Sequence, residues 1–105
     1  MSDDHWYLYL IRCGDNSLYT GITKDVARRV EEHRSGTRKA AKYLRGKAPL
    51  TLAWQHRVQS QSQALKLEQR IKRLPKYDKE RLAAGQLLVE SLEATDAPAN
   101  SQNPI

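Results

Sequence analysis

The sequence of 105 residues contains no phenylalanine, a single cysteine and no long apolar run. One cysteine, Cys13, excludes an internal disulfide framework and any cysteine-based zinc cluster. Because a long apolar run is lacking, we expect no segment that spans a membrane. The N-terminal stretch MSDDHW is acidic and has no apolar core, so it lacks the features of a secretory signal. We therefore expect a cytoplasmic protein.

Tyrosine and tryptophan take the place of the missing phenylalanine as large core side chains. Apolar residues make up 39% of the chain, which suffices for the single modest core of one small domain. Three of the five tyrosines, namely Tyr7, Tyr9 and Tyr19, lie on the first two predicted strands. They either pack in that core or form part of a site.

Acidic residues are scarce in the middle of the sequence. The formal net charge is +6, yet the segment from Lys24 to Arg81 alone holds 17 basic and 6 acidic residues, a balance of +11. No carboxylate occurs between Glu32 and Glu68. Such a field favours binding to a polyanion, most commonly a nucleic acid. The alternative is a charged surface that only keeps the protein soluble.

Periodicity and end signals predict the secondary structure. Strand Trp6–Arg12, the turn GDNS and strand Leu18–Ile22 come first, followed by helix Lys24–Ser35, which Thr23 caps and Gly36 ends. A short irregular helix is predicted within Thr37–Lys47. Strand Leu50–Val58, a helix from Ser60 or Ser62 to Leu74, and helix Pro75–Ala84 complete the order. This β-β-α-β-α-α order predicts an α+β domain over residues 1–85, with a small three-stranded antiparallel sheet flanked by helices. Residues 86–105 are expected to form a disordered tail.

Two predicted helices carry polar residues next to their apolar faces. In the first helix, Val26, Val30 and His33 share one face, and Arg29 lies on its flank, so Arg29 and His33 are neighbours that face the sheet. In the second long helix, Glu68 is the single carboxylate and lies at the rim of the apolar stripe. A carboxylate at the edge of a buried face needs a partner. That partner is either part of a functional site or, in the ordinary case, a nearby base in a salt bridge.

These residues together resemble a known family. Tyr7-Leu8-Tyr9, then Tyr19-Thr20-Gly21, followed by ITKDVARRVEEH and later LKLEQRIK, are similar to the GIY-YIG nuclease domain, and most of all to its small single-domain bacterial members of the YhbQ type. The resemblance covers Trp6 to Arg81. It implies a three-stranded antiparallel sheet with flanking helices and metal-dependent cleavage of DNA. The chain departs from the family at Tyr7, Leu8 and Thr20, and it has no match to a late asparagine.

The resemblance also implies roles for five residues. Glu68 is expected to hold Mg²⁺ or Mn²⁺ together with the substrate phosphate and waters. Arg29 is expected to grip the scissile phosphate, Tyr9 to take the proton of the attacking water, and Tyr19 to support the water or the phosphate. His33 either receives the proton of Tyr9 or orients its hydroxyl. The basic residues expected to contact nucleic acid are Lys24, Arg28, Arg38, Lys39, Lys42, Arg45 and Lys72.

The assignment of two phenols to one site makes a geometric prediction. In an antiparallel pair without a bulge, the numbers of facing residues add to a constant, and side chains alternate between the two sides of the sheet. Tyr9 and Tyr19 share a side only if that sum is even. We therefore predict an odd-length loop such as Gly14-Asp15-Asn16, or a bulge with the same effect.

The functional prediction is an endonuclease acting on DNA in repair or processing, selective for structure rather than sequence. RNA is an alternative substrate, and a protein partner could supply specificity. Two other hypotheses for the function rest on the same residues. One is a nucleic-acid-binding module without catalysis, in which Glu68 only pairs with a base. The other is a small adaptor whose cationic face docks on an acidic protein.

Overall fold

The computed structural model describes residues 5–36 and 39–94. Its strands are β1 (Trp6–Arg12), β2 (Leu18–Thr23) and β3 (Thr51–Val58), and its helices are α1 (Val26–Ser35), α2 (Gln61–Lys72), α3 (Lys76–Ala83) and α4 (Val89–Ala94), with a 3₁₀ turn at Lys42–Leu44. None of the helices in these two ranges is long and apolar enough to cross a membrane.

The three strands form one antiparallel sheet in the order β2-β1-β3. The central strand β1 is buried on both sides, since Leu8, Tyr9, Leu10 and Ile11 are all at most 1% exposed. Helices therefore cover both faces of the sheet. The predicted α+β architecture with a three-stranded antiparallel sheet is confirmed.

Alternation along β1 divides the apolar interior into two cores, one on each side of the sheet. Even-numbered residues of β1 pack against α2, α3 and α4, whereas odd-numbered ones pack against α1 and the 3₁₀ turn. The first core includes Leu8, Leu10, Leu67, Ile71, Leu82 and Leu92. The second includes Tyr9, Ile11, Val26, Val30, Leu44 and Leu50. The second core contains both the buried phenol and the inward face of α1.

The β1–β2 hairpin has the predicted register. Tyr9 faces Gly21 and Ile11 faces Tyr19, so the numbers of each facing pair add to 30, an even sum. Cys13 donates its backbone N–H to the Ser17 carbonyl over 2.9 Å and closes the loop, while Asn16 adopts a left-handed φ of 71°. Tyr9 and Tyr19 consequently lie on the same side of the sheet, as predicted.

Helix α1 begins two residues later than predicted, at Val26 rather than Lys24. Thr23 ends strand β2 opposite Tyr7, so it cannot cap the helix. Asp25 is the cap, because its side chain accepts the backbone N–H of Arg28 over 3.1 Å. Gly36 ends the helix with φ 70°, as predicted.

The other differences lie in the connections and at the C-terminal end. Only Lys42–Leu44 is helical within the segment predicted as an irregular helix, and Thr37 and Arg38 lie outside the described residues. The prediction of a disordered tail from residue 86 is wrong for α4, because Val89 and Leu92 are buried against the first core. The remainder of that prediction, residues 95–105, lies outside the described residues.

Candidate active site

The Tyr9 side chain lies across strand β2 at the position of Gly21. An added Cβ at Gly21 would overlap the Tyr9 hydroxyl and ring and would lie 3.0 Å from its Cε1. Because Tyr9 and Gly21 are directly paired in the ladder, only a residue without a side chain leaves room for this ring. The glycine thus sets the position of the phenol, which is 1% exposed.

His33 contacts the same hydroxyl end of the Tyr9 side chain. The hydroxyl oxygen of Tyr9 lies 2.9 Å from His33 Nε2, and the second ring nitrogen, Nδ1, accepts the backbone N–H of Ala41 over 3.2 Å. His33 is 2% exposed. Burial lowers the pKa of His33 to about 4, the Arg29 charge acts in the same direction, and Glu32 opposes both. The imidazole is therefore neutral near pH 7.

The phenol of Tyr9 is protonated in the free protein. Burial raises the pKa of Tyr9 to about 12, and the Tyr19 phenol and the Glu68 carboxylate add to this rise. The Arg29 guanidinium opposes the rise through its charge and through hydrogen bonding. Formation of a phenolate at neutral pH thus requires positive charge beyond what Arg29 supplies.

Tyr19 extends the aromatic cluster toward the surface. Its ring centroid lies 6.4 Å from that of Tyr9 and 5.8 Å from that of His33. On the outer side it stacks on Tyr43 at 5.8 Å with an interplanar angle of 20°. Lys47 Nζ lies 4.5 Å from the centre of the Tyr43 ring. The two phenols predicted to share a site therefore lie together, with a third phenol outside them.

Arg29 lies beside Tyr9 but already has partners. Its Nη1 donates to Glu32 Oε1 over 2.9 Å and to the backbone carbonyl of Lys39 over 2.7 Å. These bonds hold the guanidinium against the segment that also carries Ala41. The structure thus brings four of the five predicted catalytic residues together on the α1 side of the sheet: Tyr9, Tyr19, Arg29 and His33.

Glu68, the fifth, approaches from α2, which packs on the other face of the sheet. Its side chain is 13% exposed, and its Oε2 lies 3.4 Å from Lys72 Nζ, so the ordinary salt bridge considered above is present. Its carboxylate is nonetheless close enough to raise the pKa of Tyr9. Among residues 5–36 and 39–94, no three His, Cys, Asp or Glu side chains form a group that could hold a metal.

A cleft of about 280 Å³ lies at the free edge of β2, between the two layers of helices. Its lining consists of Leu18, Tyr19, Thr20, Tyr43, Lys72 and Lys79. Thr20 Oγ1 is buried and has no hydrogen-bond partner among the residues that the structure describes. Tyr19 from the aromatic cluster and Lys72, the partner of Glu68, meet in this cleft. A larger groove, about 570 Å³, lies beside Tyr7 and Lys24 and is lined by none of the five predicted catalytic residues.

The basic residues predicted to contact nucleic acid are exposed wherever the structure describes them. These are Lys24, Arg28, Lys39, Lys42, Arg45 and Lys72. Arg38 lies outside the described residues. Two of the six contribute to the cavities above, Lys24 to the larger groove and Lys72 to the β2-edge cleft.

Sequence reasoning missed three groups that complete the arrangement. The Ala41 amide binds His33, Tyr43 covers Tyr19, and Lys79 lines the cleft. Ala41 and Tyr43 lie in an irregular segment, where neither a period of two nor one of 3.6 indicates direction. Lys79 is one of several lysines near α3, and nothing in the spacing distinguishes it from the others.

Comparison with known proteins decides the family. Residues 5–81 match the GIY-YIG catalytic domain. The chain belongs to the GIY-YIG family. The matched range contains all three strands, helices α1 and α2 and all five predicted catalytic residues. The resemblance drawn from the tyrosine triplets is thereby confirmed.

Relatives named UPF0213 proteins align with most of the chain. A UPF0213 protein of Cronobacter sakazakii is 54% identical over 91 residues, which cover 87% of this chain and 94% of the relative. The UPF0213 protein YhbQ of Salmonella arizonae is 59% identical over 87 residues, or 83% and 85% of the two chains. A UPF0213 protein from Bacillus halodurans, solved by NMR in solution, is 34% identical with a TM-score of 0.51, and the match covers 89% of this chain and 97% of that one.

Proposed function

We propose that this GIY-YIG protein is a divalent-metal-dependent endonuclease that hydrolyses phosphodiester bonds of DNA in repair or processing. One observation carries the proposal. A buried phenol, Tyr9, is held by His33 beside the guanidinium of Arg29, and its neighbour Tyr19 opens onto a cationic cleft. Burial alone requires only some hydrogen-bond partner for a phenol. A charged guanidinium placed beside a buried, hydrogen-bonded phenol next to a surface cleft is typical of a functional site.

The reaction assigned to this cluster is the attack of water on the scissile phosphorus. Tyr9 acts as the phenolate, so its own proton must be lost first. As the new P–O bond forms, the water gives a proton to the phenolate oxygen of Tyr9, and the ester P–O bond breaks toward a leaving oxygen that takes a proton from solvent. Arg29 stabilises the negative charge on the phosphoryl oxygens, because a guanidinium presents several donors in one plane. Tyr19 holds the water or the phosphate in line.

Glu68 is the residue that would hold Mg²⁺ or Mn²⁺. When bound, the ion supplies charge neutralisation at the phosphate and helps to ionise the attacking water. A lone carboxylate fits an ion that is shared with the substrate, because Mg²⁺ usually keeps waters and binds through one or two carboxylates plus phosphates. For the same reason we expect weak metal binding in the absence of DNA. Occupancy also requires Glu68 to exchange its contact with Lys72.

The positive surface determines what the cluster can bind. Lys72 and Lys79 line the β2-edge cleft and attract phosphates without reading bases, so we expect salt-dependent binding that responds to DNA shape more than to sequence. The chain is small and should bind weakly by itself. Lys79→Ala should lower the slope of log affinity against log salt by about 1 if Lys79 contacts a phosphate.

The experiment is a nicking assay with supercoiled plasmid and with branched and single-stranded DNA, in Mg²⁺, Mn²⁺ and EDTA. We expect metal-dependent cleavage that Glu68→Ala and Arg29→Ala abolish while leaving most of the salt-dependent binding. Glu31→Ala is the matched control, since Glu31 is an exposed carboxylate of α1 that pairs only loosely with Arg34 at 3.8 Å. Equal nicking by native protein and both site variants would contradict the proposal.

A non-catalytic DNA-binding module is the second candidate, and the Glu68–Lys72 ion pair favours it. In that case Glu68 has its partner already and needs no metal. The same assay separates the two functions. Salt-dependent binding without cleavage of any DNA form, in any metal, would favour the binding module.

A further inference from the structure

Both ring nitrogens of His33 have a hydrogen-bond partner, and the two partners differ in kind. Nε2 lies 2.9 Å from the Tyr9 hydroxyl oxygen, which can either donate or accept. Nδ1 lies 3.2 Å from the backbone nitrogen of Ala41, and an amide N–H can only donate. The Ala41 contact therefore requires a lone pair on Nδ1.

A lone pair on Nδ1 determines where the imidazole proton is. In a neutral ring one nitrogen carries the proton and the other accepts, so the proton of His33 must be on Nε2. The other tautomer and the imidazolium ion would both turn an N–H of Nδ1 toward the N–H of Ala41. Since His33 is 2% exposed, water cannot relieve that conflict.

We propose that His33 is a positioning residue whose Nε2–H is held by the Ala41 amide as a permanent donor to the Tyr9 oxygen, and that the imidazole does not receive the Tyr9 proton. This inference rests on the proposed nuclease function for its catalytic meaning. It decides between the two roles that the sequence left open for His33, in favour of orientation. Tyr9 is 1% exposed in the free protein. Its proton must then pass to a water molecule that enters the site with the substrate, before the resulting phenolate accepts a proton from the attacking water.

The charged and titratable groups around His33 act consistently with this assignment. They are Arg29 and Glu32 of its own helix, Tyr9 of β1 and Tyr19 of β2, with the Ala41 amide facing from the segment before the 3₁₀ turn. Burial and the Arg29 charge both disfavour the imidazolium ion, and Glu32 only partly offsets them. A hydrogen bond donated to the Tyr9 oxygen favours the phenolate over the phenol. His33 thus assists ionisation of Tyr9 without taking its proton.

The direct test is the tautomer of His33 in the full chain. Long-range ¹H–¹⁵N correlation spectra of labelled protein distinguish the two neutral tautomers and the imidazolium ion. The spectrum of His33→Gln identifies which signals belong to His33 rather than to His5 or His56. We expect the Nε2–H form throughout the range from about pH 5.5 to 8, where an ordinary histidine titrates. An Nδ1–H form, or titration within this range, would overturn the proposal.

The second test compares two variants of similar shape in the nicking assay. His33→Gln can still donate to Tyr9 and accept from Ala41 but cannot take a proton, whereas His33→Glu presents a carboxylate oxygen to Tyr9. We expect Gln to keep nicking within about tenfold of native, whereas loss of a proton acceptor would cost about 10²–10⁴-fold. His33→Glu should lose much more nicking activity than His33→Gln, with the two variants equally stable to heat.

The pH dependence of nicking provides a readout that a merely structural role would not change. Native protein and His33→Gln should share one rise toward alkaline pH, without an inflection from an imidazole. An inflection near the ordinary histidine pKa that is present in native protein and absent from His33→Gln would overturn the proposal. If native protein cleaves nothing while NMR shows Nε2–H, the nuclease function fails and the assignment of the imidazole proton is supported.

Discussion

Gly21→Ala should displace the Tyr9 phenol from its position beside His33. The new methyl group would overlap the Tyr9 hydroxyl and ring and would lie 3.0 Å from Cε1. Neither the ring nor the backbone can move away without cost, because Tyr9 is 1% exposed and its backbone pairs directly with that of Gly21. The ring must therefore shift by about 1 Å to restore ordinary contact distances, which breaks its 2.9 Å contact with His33.

A displacement of about 1 Å at a reacting group typically lowers the rate about 100-fold. The overpacked interior should also reduce the free energy of unfolding by about 1–3 kcal/mol. The assay is plasmid nicking in Mn²⁺, with urea denaturation measured on the same preparation.

Gly85→Ala is the matched control for this prediction. Gly85 has φ 79°, and a Cβ added there meets no atom within 4 Å, so alanine costs about 1–2 kcal/mol of backbone strain and leaves Tyr9 untouched. We expect this variant to lose stability and to keep nicking. Equal nicking by Gly21→Ala and native protein would refute the reasoning, as would equal loss of activity in both variants.

Three further predictions concern other groups. Thr20→Val should raise the free energy of unfolding in urea by about 1 kcal/mol, because it replaces a buried hydroxyl that has no partner among the described residues; a decrease would indicate a partner outside them. Glu68→Gln should lower the pKa of Tyr9, since the Glu68 carboxylate raises it. The Tyr9 signal is obtained by ultraviolet titration of phenolate, as the difference between Glu68→Gln and the same variant carrying Tyr9→Phe. An unchanged pKa would show that Glu68 is too far from Tyr9 to affect its ionisation. Arg12 and Lys76 lower the pKa of Glu80 to about 2, so the stability this group adds is present above the ordinary carboxyl pKa and is lost as pH falls toward 2. At pH 7 the free energy of unfolding of native protein should exceed that of Glu80→Gln by about 1 kcal/mol, a figure that allows for the one-third exposure of the Glu80 side chain. A difference that stays constant down to pH 2 would contradict the assignment.

The hairpin and its two phenols were predictable because local chemistry determines them. The turn residues of GDNS place the reversal, and the parity rule then determines whether Tyr9 and Tyr19 share a side. Arg29 and His33 were predictable for a similar reason, since a four-residue spacing on a helix makes them neighbours. All four positions depend on periodicities that a sequence displays directly.

The remaining features depend on tertiary contacts that no period reveals. Helix α4 has six residues, and Val89 and Leu92 are the buried ones among residues 89–92, whose exposure the structure describes; this pattern is too short to distinguish from a tail. The Ala41 amide reaches His33 from an irregular segment, and a backbone donor has no signature in the sequence. The rise in the pKa of Tyr9 was also hidden, because it depends on how completely the sheet and α1 bury the ring.

Tyr9→Phe tests the central claim most directly, because it removes one oxygen atom from an otherwise unchanged core. Purified native protein and Tyr9→Phe should be compared in Mn²⁺ for plasmid nicking, DNA binding and thermal unfolding, with EDTA as the blank. We expect metal-dependent nicking by native protein and a loss of about 10²-fold or more in Tyr9→Phe, with DNA binding retained. Equal nicking rates for the two proteins would contradict it.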